Sequence, residues 1–425
     1  MELTVLICCF FFLMIIGLPI AYNLIISCLA YLLVSNLPII LIVQRMYEGM
    51  SSFSFLAVPF FVLTGQFMLK GRLLEALIDF VNVFFGRAKG AIAIVTIGAS
   101  LLMGSIVGLA VASAASLGVF LIPMMIKEKY SPAFSAAVMS SASLLGPIMP
   151  PSVLMIMYCM AVGRTSIAGV FMTAIVPAIM IAGGEMIIAW FISKKRNYPS
   201  YHKTTGKEKM QATWKALPSL LLPVIILGGI FGGVFSITEA SAVAALYSGF
   251  LAFFVNKAAK LHDIPEIFRE AALTSGLVLL LAGAGSVMSW AIASERVLDY
   301  IIGPLSQMPP WVFLLLVNVV LLICGCFMDD YASIVILAPI IAPVAWQLGI
   351  HPLHIAVIVC INLVVGLATP PFGITLFVTS PIAGVKLEET VKEAIPFLVV
   401  TIGSLLLVTF VPDICLFLPR LTGYA

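Results

Sequence analysis

Gly366-Leu-Ala-Thr-Pro-Pro-Phe-Gly373 lies in the middle of residues 353–382, a segment that is otherwise apolar enough to cross a membrane. Two consecutive prolines remove two backbone donors, and their rings clash with the preceding turn of a helix. A straight helix therefore cannot pass through this point. Within hydrocarbon, the carbonyl groups that lose their partners must bind protein, water or an ion. The sequence predicts a membrane helix that is broken near its centre.

A second break of the same kind occurs 220 residues earlier, at Gly146-Pro-Ile-Met-Pro-Pro-Ser152 within residues 134–160. Gly146 then matches Gly366, and both motifs contain a proline pair. Two interrupted membrane helices at matching places in two halves of a chain point to a transporter binding site. The order of the other elements repeats as well, which predicts an internal duplication.

The composition is that of a protein that crosses a membrane many times. Hydrophobic residues make up 62% of the 425 residues, charged residues only 10%, and the mean hydropathy is +1.19. This length allows roughly a dozen membrane segments of about 20 residues. We therefore predict an all-α polytopic membrane protein.

Several function classes are excluded by the motifs that the chain lacks. Its eight cysteines show no C-x-x-C and no Cys/His spacing for a transition metal. A nucleotide-binding G-x-x-x-x-G-K-[ST] motif is also missing, so the chain alone cannot be an ATP-driven pump. We expect no enzymatic activity, no cofactor and no nucleic-acid partner, and energy from an ion gradient, a partner or the gradient of the substrate.

The duplication divides the chain into a first repeat at 1–193, a basic cytoplasmic linker at 194–215 and a second repeat at 216–425. In each repeat we predict five crossings, an amphipathic helix at the membrane interface, one broken helix and one re-entrant hairpin. The amphipathic helices are predicted at 72–87 and 294–307. The hairpins are predicted at about 90–126 and about 311–346.

The distribution of charge orients these segments. An odd number of crossings gives the two repeats opposite topology. With the linker in the cytoplasm, most other Lys and Arg residues also fall inside, and only four fall outside: Arg45, Arg164, Arg296 and Arg420. If the hairpin segments crossed instead, Lys127 and Lys129 would change sides and the asymmetry would weaken. The positive-inside rule therefore favours hairpins and predicts that both termini are periplasmic.

Four interruptions, two hairpin tips and two broken helices, are then expected to meet near the membrane midplane. Ser105 offers a hydroxyl oxygen at the first tip, and Asp329 and Asp330 place two carboxylates at the second. Ionised carboxylates inside a membrane segment are costly unless they face water or a cation. Alternatively, they cap the N-terminus of a half-helix, and the two roles are compatible.

The broken helices offer oxygen atoms more than charges. The hydroxyl of Thr369 and the carbonyl groups around Gly146, Met149, Gly366 and Thr369 suit a hard monovalent cation. The N–H groups at the starts of the half-helices suit a carboxylate substrate. The alternative is a pair of proline kinks that only shape helix packing.

Three other polar positions stand out in apolar surroundings. Glu239 follows Ser236 by three residues, which is typical of a helix start. Glu185, after two glycines, could face a partner subunit or a water-filled lumen, and the sequence leaves both open. His351 and His354 flank a proline on a predicted periplasmic turn, and we expect both to be solvated.

These motifs resemble those of the large membrane subunit of the tripartite ATP-independent periplasmic (TRAP) transporters, the DctM-like family. The likeness runs along essentially the whole chain. Its most specific parts are the two double-proline motifs, the segment Gly325-Cys-Phe-Met-Asp329 and the Thr-Glu-Ala-rich span that begins at Phe235. It implies a sodium-coupled importer of organic anions such as C4-dicarboxylates or sugar acids in a bacterial inner membrane.

The resemblance also implies partners and a mechanism. A soluble periplasmic protein would deliver the substrate, and a small four-helix membrane subunit would complete the scaffold in the lipid bilayer. The hairpins and broken helices would form a moving transport domain of the elevator type.

The same resemblance leads to two sets of site residues. The expected sodium ligands are Ser105, Gly146, Met149, Gly325, Asp329, Gly366 and Thr369. The expected substrate contacts are Ser105, Pro150, Pro151, Asp330, Pro370 and Pro371. The family often has Gly-Ser-Ser at the first hairpin tip, whereas this chain has Gly104-Ser105-Ile106, so one hydroxyl is missing.

Two other functions compete with this interpretation. One is a self-sufficient sodium–anion symporter that needs no soluble partner. The other is a membrane subunit of an electron-transfer complex, which would require Lys/Glu relays or paired histidines within the spans. The predicted spans contain neither, so we favour a transporter.

Overall fold

The computed structural model describes residues 2–85, 88–199, 205–296, 305, 307–370 and 372–424, without the side chains of residues 85 and 105–107. Their regular structure is helical. The helices of the first half are α1 (Glu2–Ile15), α2 (Ile20–Val34), α3 (Ile40–Met50), α4 (Ala57–Lys70), α5 (Leu73–Phe85), α6 (Ala91–Val107), α7 (Ala110–Lys127), α8 (Pro132–Ser143), α9 (Leu145–Ile148), α10 (Val153–Val162) and α11 (Ile167–Lys195). Those of the second half are α12 (Gly206–Phe231), α13 (Ile237–Phe250), α14 (Ile264–Ser294), α15 (Pro310–Phe327), α16 (Asp330–Gln347), α17 (Pro352–Gly366), α18 (Ile374–Ala383), α19 (Leu387–Phe410) and α20 (Pro412–Thr422).

The described residues include nine helical segments that are long and apolar enough to cross a membrane. A further pair, Pro132–Ile148 and Val153–Val162, passes the same test together and is bent by 46° at its break. The prediction of an all-α, multi-pass membrane protein is confirmed.

Each interrupted segment consists of separate helices. Gly108, whose φ of +65° is in the left-handed region that favours glycine, ends α6, and Leu109 precedes α7. Met328 and Asp329 separate α15 from α16. Residues 367–373 separate α17 from α18, and the peptide bond between Pro150 and Pro151 in the first break is cis.

Three pairs of corresponding helices begin at the same spacing. The helices α7 and α16 start 220 residues apart, as do α8 and α17, and as do α11 and α19. This is the spacing that relates the two double-proline motifs. These three pairs of helix starts therefore follow the same period as the motifs.

The amphipathic segments and the linker differ in extent from their predicted bounds. The first amphipathic helix is α5, and Gly86 and Arg87 lie outside the described residues. The second lies mostly outside them, since 297–304 and 306 are not described. Part of the linker is helical, because residues 206–215 of the predicted linker belong to α12. Thr205 Oγ1 accepts the Glu208 N–H (3.4 Å) and Glu208 Oε2 accepts the Thr205 N–H (2.8 Å), a capping box that starts this helix.

The two halves of the chain pack into one another. Helix α4 lies against α13, α5 against α12, and α14 against α2 and α3. In addition, α8 packs against α18 and α19, α10 against α16, and α7 against α18. The second helix of each predicted hairpin thus contacts the broken helix of the opposite half. The interruptions lie within this interlocked part of the core.

One polar residue has an environment opposite to the expected one. His354 is only 3% exposed, and its Nε2 lies 2.9 Å from the carbonyl oxygen of Val408 on α19. The prediction that it is solvated is wrong. His351 remains partly exposed and caps α17, accepting the Leu353 N–H on Nδ1 at 3.3 Å.

Candidate ion and substrate site

The first hairpin tip touches the first helix break through glycines. A Cβ atom built on Gly104 would lie 2.7 Å from the Leu145 carbonyl oxygen and 2.8 Å from the Cα of Gly146. A Cβ atom on Gly108 would lie 3.1 Å from the Pro151 carbonyl oxygen. Contacts under 3.0 Å are not tolerated for a real Cβ, so residue 104 must be glycine for the two backbones to approach this closely.

The second hairpin tip touches the second break in the same way. A Cβ atom built on Gly366 would lie 2.5 Å from both the Cα and the carbonyl carbon of Gly325. One residue further on, Cys326 Sγ lies 3.8 Å from the Pro370 carbonyl oxygen. Both halves therefore bring a hairpin glycine against a helix-break glycine, and backbone oxygens from two interrupted elements become neighbours.

The glycine pairs refine the alignment of the two halves. Gly146 and Gly366 keep the 220-residue spacing, whereas Gly104 and Gly325 are 221 residues apart. Gly104, which was not among the predicted ligands, therefore occupies the position equivalent to Gly325. The side chain of Ser105 lies outside the described residues, so its predicted contacts stay a prediction.

The two broken helices also touch one another. Ser140 Oγ on α8 lies 2.8 Å from Thr375 Oγ1 on α18, and both side chains are fully buried. Thr375 Oγ1 in turn donates to the Leu367 carbonyl oxygen at 3.0 Å. This pair of hydroxyls joins the breaks of the two halves across a sequence distance of 235 residues.

Several predicted site residues lie in the interrupted segments. Among the predicted residues, Gly146, Pro150, Pro151, Gly325 and Gly366 are buried, whereas Met149, Thr369 and Pro370 are partly exposed; Pro371 lies outside the described residues. Thr369 Oγ1 donates to the Val365 carbonyl oxygen at 2.8 Å. Because its proton is used in this way, the oxygen lone pairs of Thr369 remain available to a ligand.

The two carboxylates at the second tip have different environments. Asp329 is the N-cap of α16 and its Oδ2 accepts the Tyr331 N–H at 3.2 Å, while its side chain is partly exposed. Asp330 is 4% exposed and its Oδ1 lies 3.1 Å from the same N–H. The capping role is thus present in the structure. The ion and substrate roles of the two residues stay predictions.

Sequence reasoning missed two buried polar groups beside the breaks. Ser113 Oγ is buried without a hydrogen-bond partner among the described residues, and a Cβ on Gly146 would lie 3.2 Å from it. Asn362 Nδ2 donates to Asn318 Oδ1 at 2.7 Å, joining α17 to the first arm of the second hairpin. Both asparagines lie in otherwise apolar helices, and this pattern in the sequence could have identified them as a buried polar pair.

Comparisons with known proteins agree with this architecture. Residues 7–414 match the family model described as "Tripartite ATP-independent periplasmic transporter, DctM component". The chain belongs to this family. It is a membrane permease of a TRAP transporter and not an enzyme. The family works with a small membrane subunit and a periplasmic binding protein.

Individual relatives show how far the likeness extends. The C4-dicarboxylate TRAP transporter large permease protein DctM of Pseudomonas aeruginosa is 36% identical over 89% of this chain and 89% of its own. The sialic acid TRAP transporter large permease protein SiaM of Vibrio cholerae is 36% identical over 96% of each chain. Among solved structures, the YdaH transporter of Alcanivorax borkumensis is similar in fold, with a TM-score of 0.64 at 15% identity over 87% of this chain and 86% of that one.

Proposed function

We propose that this chain is the large permease subunit of a sodium-coupled secondary transporter that imports a small organic anion. The substrate class is a C4-dicarboxylate or a sugar acid, delivered by a periplasmic binding protein. The observation that carries the proposal is the paired contact of Gly104 with Gly146 and of Gly325 with Gly366. Two related places where interrupted backbones meet would supply carbonyl oxygens for sodium.

The sodium ions bind at these two contacts. In the first half the ligands come from Ser105, Gly146 and Met149. In the second half they come from Gly325, Gly366 and Thr369, with the carboxylate of Asp329 close by. The hydrogen bond that Thr369 Oγ1 donates to the Val365 carbonyl oxygen supports this assignment, since it leaves only the lone pairs of the hydroxyl oxygen for a ligand.

The organic anion binds between the sodium sites. The N-termini of α10 and α18 follow the two proline pairs, and a helix N-terminus favours a carboxylate group. The residues that contact the substrate are Ser105, Pro150, Pro151, Asp330, Pro370 and Pro371. The hydroxyl contact between Ser140 and Thr375 supports a single site, because it holds the two broken helices side by side.

The chain has two inverted repeats in the bacterial inner membrane, with both termini in the periplasm and an elevator-type motion. Two cavities support this arrangement. One of about 480 Å³ lies between α5, the end of α4 and α7, with Lys70 and Arg72 on its wall. The other, between α3, α10, α14 and α16, has only about 90 Å³. Since basic residues mark the cytoplasmic side, the larger cavity opens to the cytoplasm.

The test is uptake by purified protein in proteoliposomes that contain the small four-helix membrane subunit. We expect uptake of the matching organic anion only with both an inward sodium gradient and the matching binding protein. Replacing sodium by potassium at constant ionic strength controls for non-specific effects of the salt gradient. Uptake by this chain alone would instead support a self-sufficient sodium–anion symporter. Uptake that does not depend on the sodium gradient would contradict the proposed sodium coupling.

A further inference from the structure

Glu185 is a fully buried carboxyl group on α11, between two other helices. Ser141 Oγ on α8 donates to its Oε1 at 2.5 Å, and Thr401 Oγ1 on α19 lies 3.2 Å from the same oxygen. Its second oxygen, Oε2, is buried and has no hydrogen-bond partner among the described residues. The sequence left open whether this residue faces a partner subunit or a lumen, and the structure places it inside the chain.

Gly184 makes this arrangement possible. A Cβ atom built on Gly184 would lie 2.5 Å from Val400 Cγ1, so α19 can approach α11 only because residue 184 has no side chain. The next residue on each helix is then in hydrogen-bond range: Glu185 on α11 and Thr401 on α19. By contrast, a Cβ on Gly183 would meet nothing within 4 Å.

A neutral Glu185 can satisfy the two hydroxyl groups that surround it. The Thr401 hydroxyl has one proton, and it also lies 3.0 Å from the Phe397 carbonyl oxygen, which can only accept. If Thr401 donates to Phe397, it can accept a hydrogen bond from Glu185. A continuous chain of donors then runs from Ser141 to Glu185, to Thr401 and to Phe397. An ionised Glu185 would leave Oε2 as a buried charge without any donor.

The charges on neighbouring helices do not compensate a carboxylate at this position. Glu185 makes no ion pair with any described residue. Lys194 on α11 is nine residues away, and Glu393 on α19 is eight residues before Thr401, so both are roughly 12–14 Å distant along their helices. The described titratable groups on the elements that pack against α11 are Tyr158, Cys159, His354, Cys360, Glu388, Glu389, Lys392, Glu393, Asp413, Cys415 and Arg420.

The second half ties its broken helix to its neighbours with uncharged groups. Asn362 on α17 donates to Asn318 on α15, and Asn318 Nδ2 lies 3.2 Å from Thr409 Oγ1 on α19. This network needs no counter-charge, since all its members are neutral. A protonated Glu185 would make the corresponding tie in the first half neutral as well.

We propose that Glu185 is a proton-binding residue inside the membrane, and that its proton ties the first broken helix to α11 and α19. Ser141 lies five residues before Gly146, so the protonated Glu185 is a positioning residue for the first helix break. Loss of the proton breaks the bond to Thr401 and forces Thr401 to give up Phe397 if it is to donate to the carboxylate. The hydrogen bonds that join α8, α11 and α19 are therefore complete when the proton is bound and weaker when it is released.

Infrared difference spectroscopy of the purified protein at neutral pH tests the proton directly and needs no transport assay. Subtracting the spectrum of Glu185→Gln from that of the wild type should leave the C=O stretching band of one protonated carboxylic acid, which shifts in D₂O. The matched control is Glu239→Gln, because Glu239 is an exposed capping residue. That subtraction should leave carboxylate bands and no band of a protonated acid.

A second pair of variants keeps the test independent of whether Glu185→Gln folds. Ser141→Ala and Thr401→Val remove one hydrogen-bond partner each, so both should shift the frequency of the acid band without abolishing it. The proposal would be overturned if the Glu185→Gln subtraction showed that the wild type loses a carboxylate band instead of an acid band. It would also be overturned if neither partner variant shifted the frequency of the acid band. Neither result depends on which substrate or ion the protein transports.

The pH dependence of thermal stability, from about pH 4.3 upwards where an unfolded glutamate is ionised, supplies a second readout. The folded protein holds a proton that the unfolded chain releases, so the wild type should lose thermal stability as the pH rises, and Glu185→Gln should lose less of it. A role in packing alone predicts parallel pH profiles for the two proteins. Parallel profiles would therefore contradict the positioning role.

Discussion

Val335 on the second hairpin packs directly onto the backbone of Gly285 on α14. A Cβ atom built on Gly285 would lie 2.7 Å from Val335 Cβ, so no other residue fits at position 285 unless the hairpin moves. Ser289, one turn further along α14, donates to the Val335 carbonyl oxygen at 3.4 Å. The second arm of this hairpin is thus held against α14 beside the smaller of the two cavities.

We expect Gly285→Ala to separate α16 from α14. Overpacking of this kind typically costs about 1–3 kcal/mol. The midpoint of thermal unfolding in detergent should fall. Val335→Ala in the same chain should restore part of it, because it removes Cγ1, the atom nearest to the new Cβ, but keeps the Val335 Cβ. The control is Gly276→Ala on the same helix, where a Cβ meets nothing within 4 Å. Equal effects of the two glycine substitutions would show that the contact with Val335 is not the cause.

Gly366→Ala should disrupt the second ion site. The new Cβ would clash with backbone atoms of Gly325, which cannot rotate away as a side chain can. We expect the sodium concentration for half-maximal uptake to rise by about tenfold or more, which corresponds to about 1.4 kcal/mol of binding free energy.

Gly403→Ala on α19 is the matched control for this experiment, because a Cβ there meets nothing within 4 Å. It should leave the sodium dependence unchanged. If Gly366→Ala also leaves it unchanged, the contact between the second hairpin tip and the second break has no part in sodium binding.

Asp329→Asn separates capping from ion binding at the second hairpin tip. Asparagine is as good an N-cap as aspartate, so the helix start should survive and thermal unfolding should change little. Only the charge is removed. We expect weaker sodium-driven uptake, measured as a higher sodium requirement in proteoliposomes. Unchanged uptake would assign Asp329 to the cap alone, and Asp330→Asn would then test the buried neighbour in the same assay.

The features that sequence reasoning predicted correctly are local. A proline pair breaks a helix wherever it occurs, so the interruptions after Gly146 and Gly366 could be placed from the sequence. The 220-residue spacing then located the matching helix starts. The helical part of the linker was missed, although the Thr205–Glu208 capping box that begins α12 is visible in the sequence.

The features that could not be predicted depend on contacts between distant segments. His354 is buried because α19 brings the Val408 carbonyl group to it, and no local sequence pattern around position 354 predicts this contact. Glu185 meets partners 44 and 216 residues away. The one-residue difference in spacing between Gly104 and Gly325 likewise became visible only through their contacts with the breaks.

His351 predicts a loss of stability on acidification. Burial, and secondarily the charge of Arg420, lower the pKa of this side chain below its ordinary value of 6.5. The folded protein thus favours the neutral ring, which accepts the Leu353 N–H and caps α17. The contribution is present above pH 6.5 and is lost as the pH falls through the lowered pKa.

Thermal unfolding in detergent between about pH 7.5 and pH 5 should measure this loss, which we expect to be of the order of 1 kcal/mol, as for other N-caps. His351→Asn keeps a capping oxygen that does not titrate in this range, so its profile should be flatter than that of the wild type. Arg420→Gln removes the nearby charge. The stability loss of this variant should occur at only slightly higher pH than that of the wild type, because burial is the larger cause of the lowered pKa. A His351→Asn profile as steep as the wild-type one would place the acid sensitivity elsewhere in the protein.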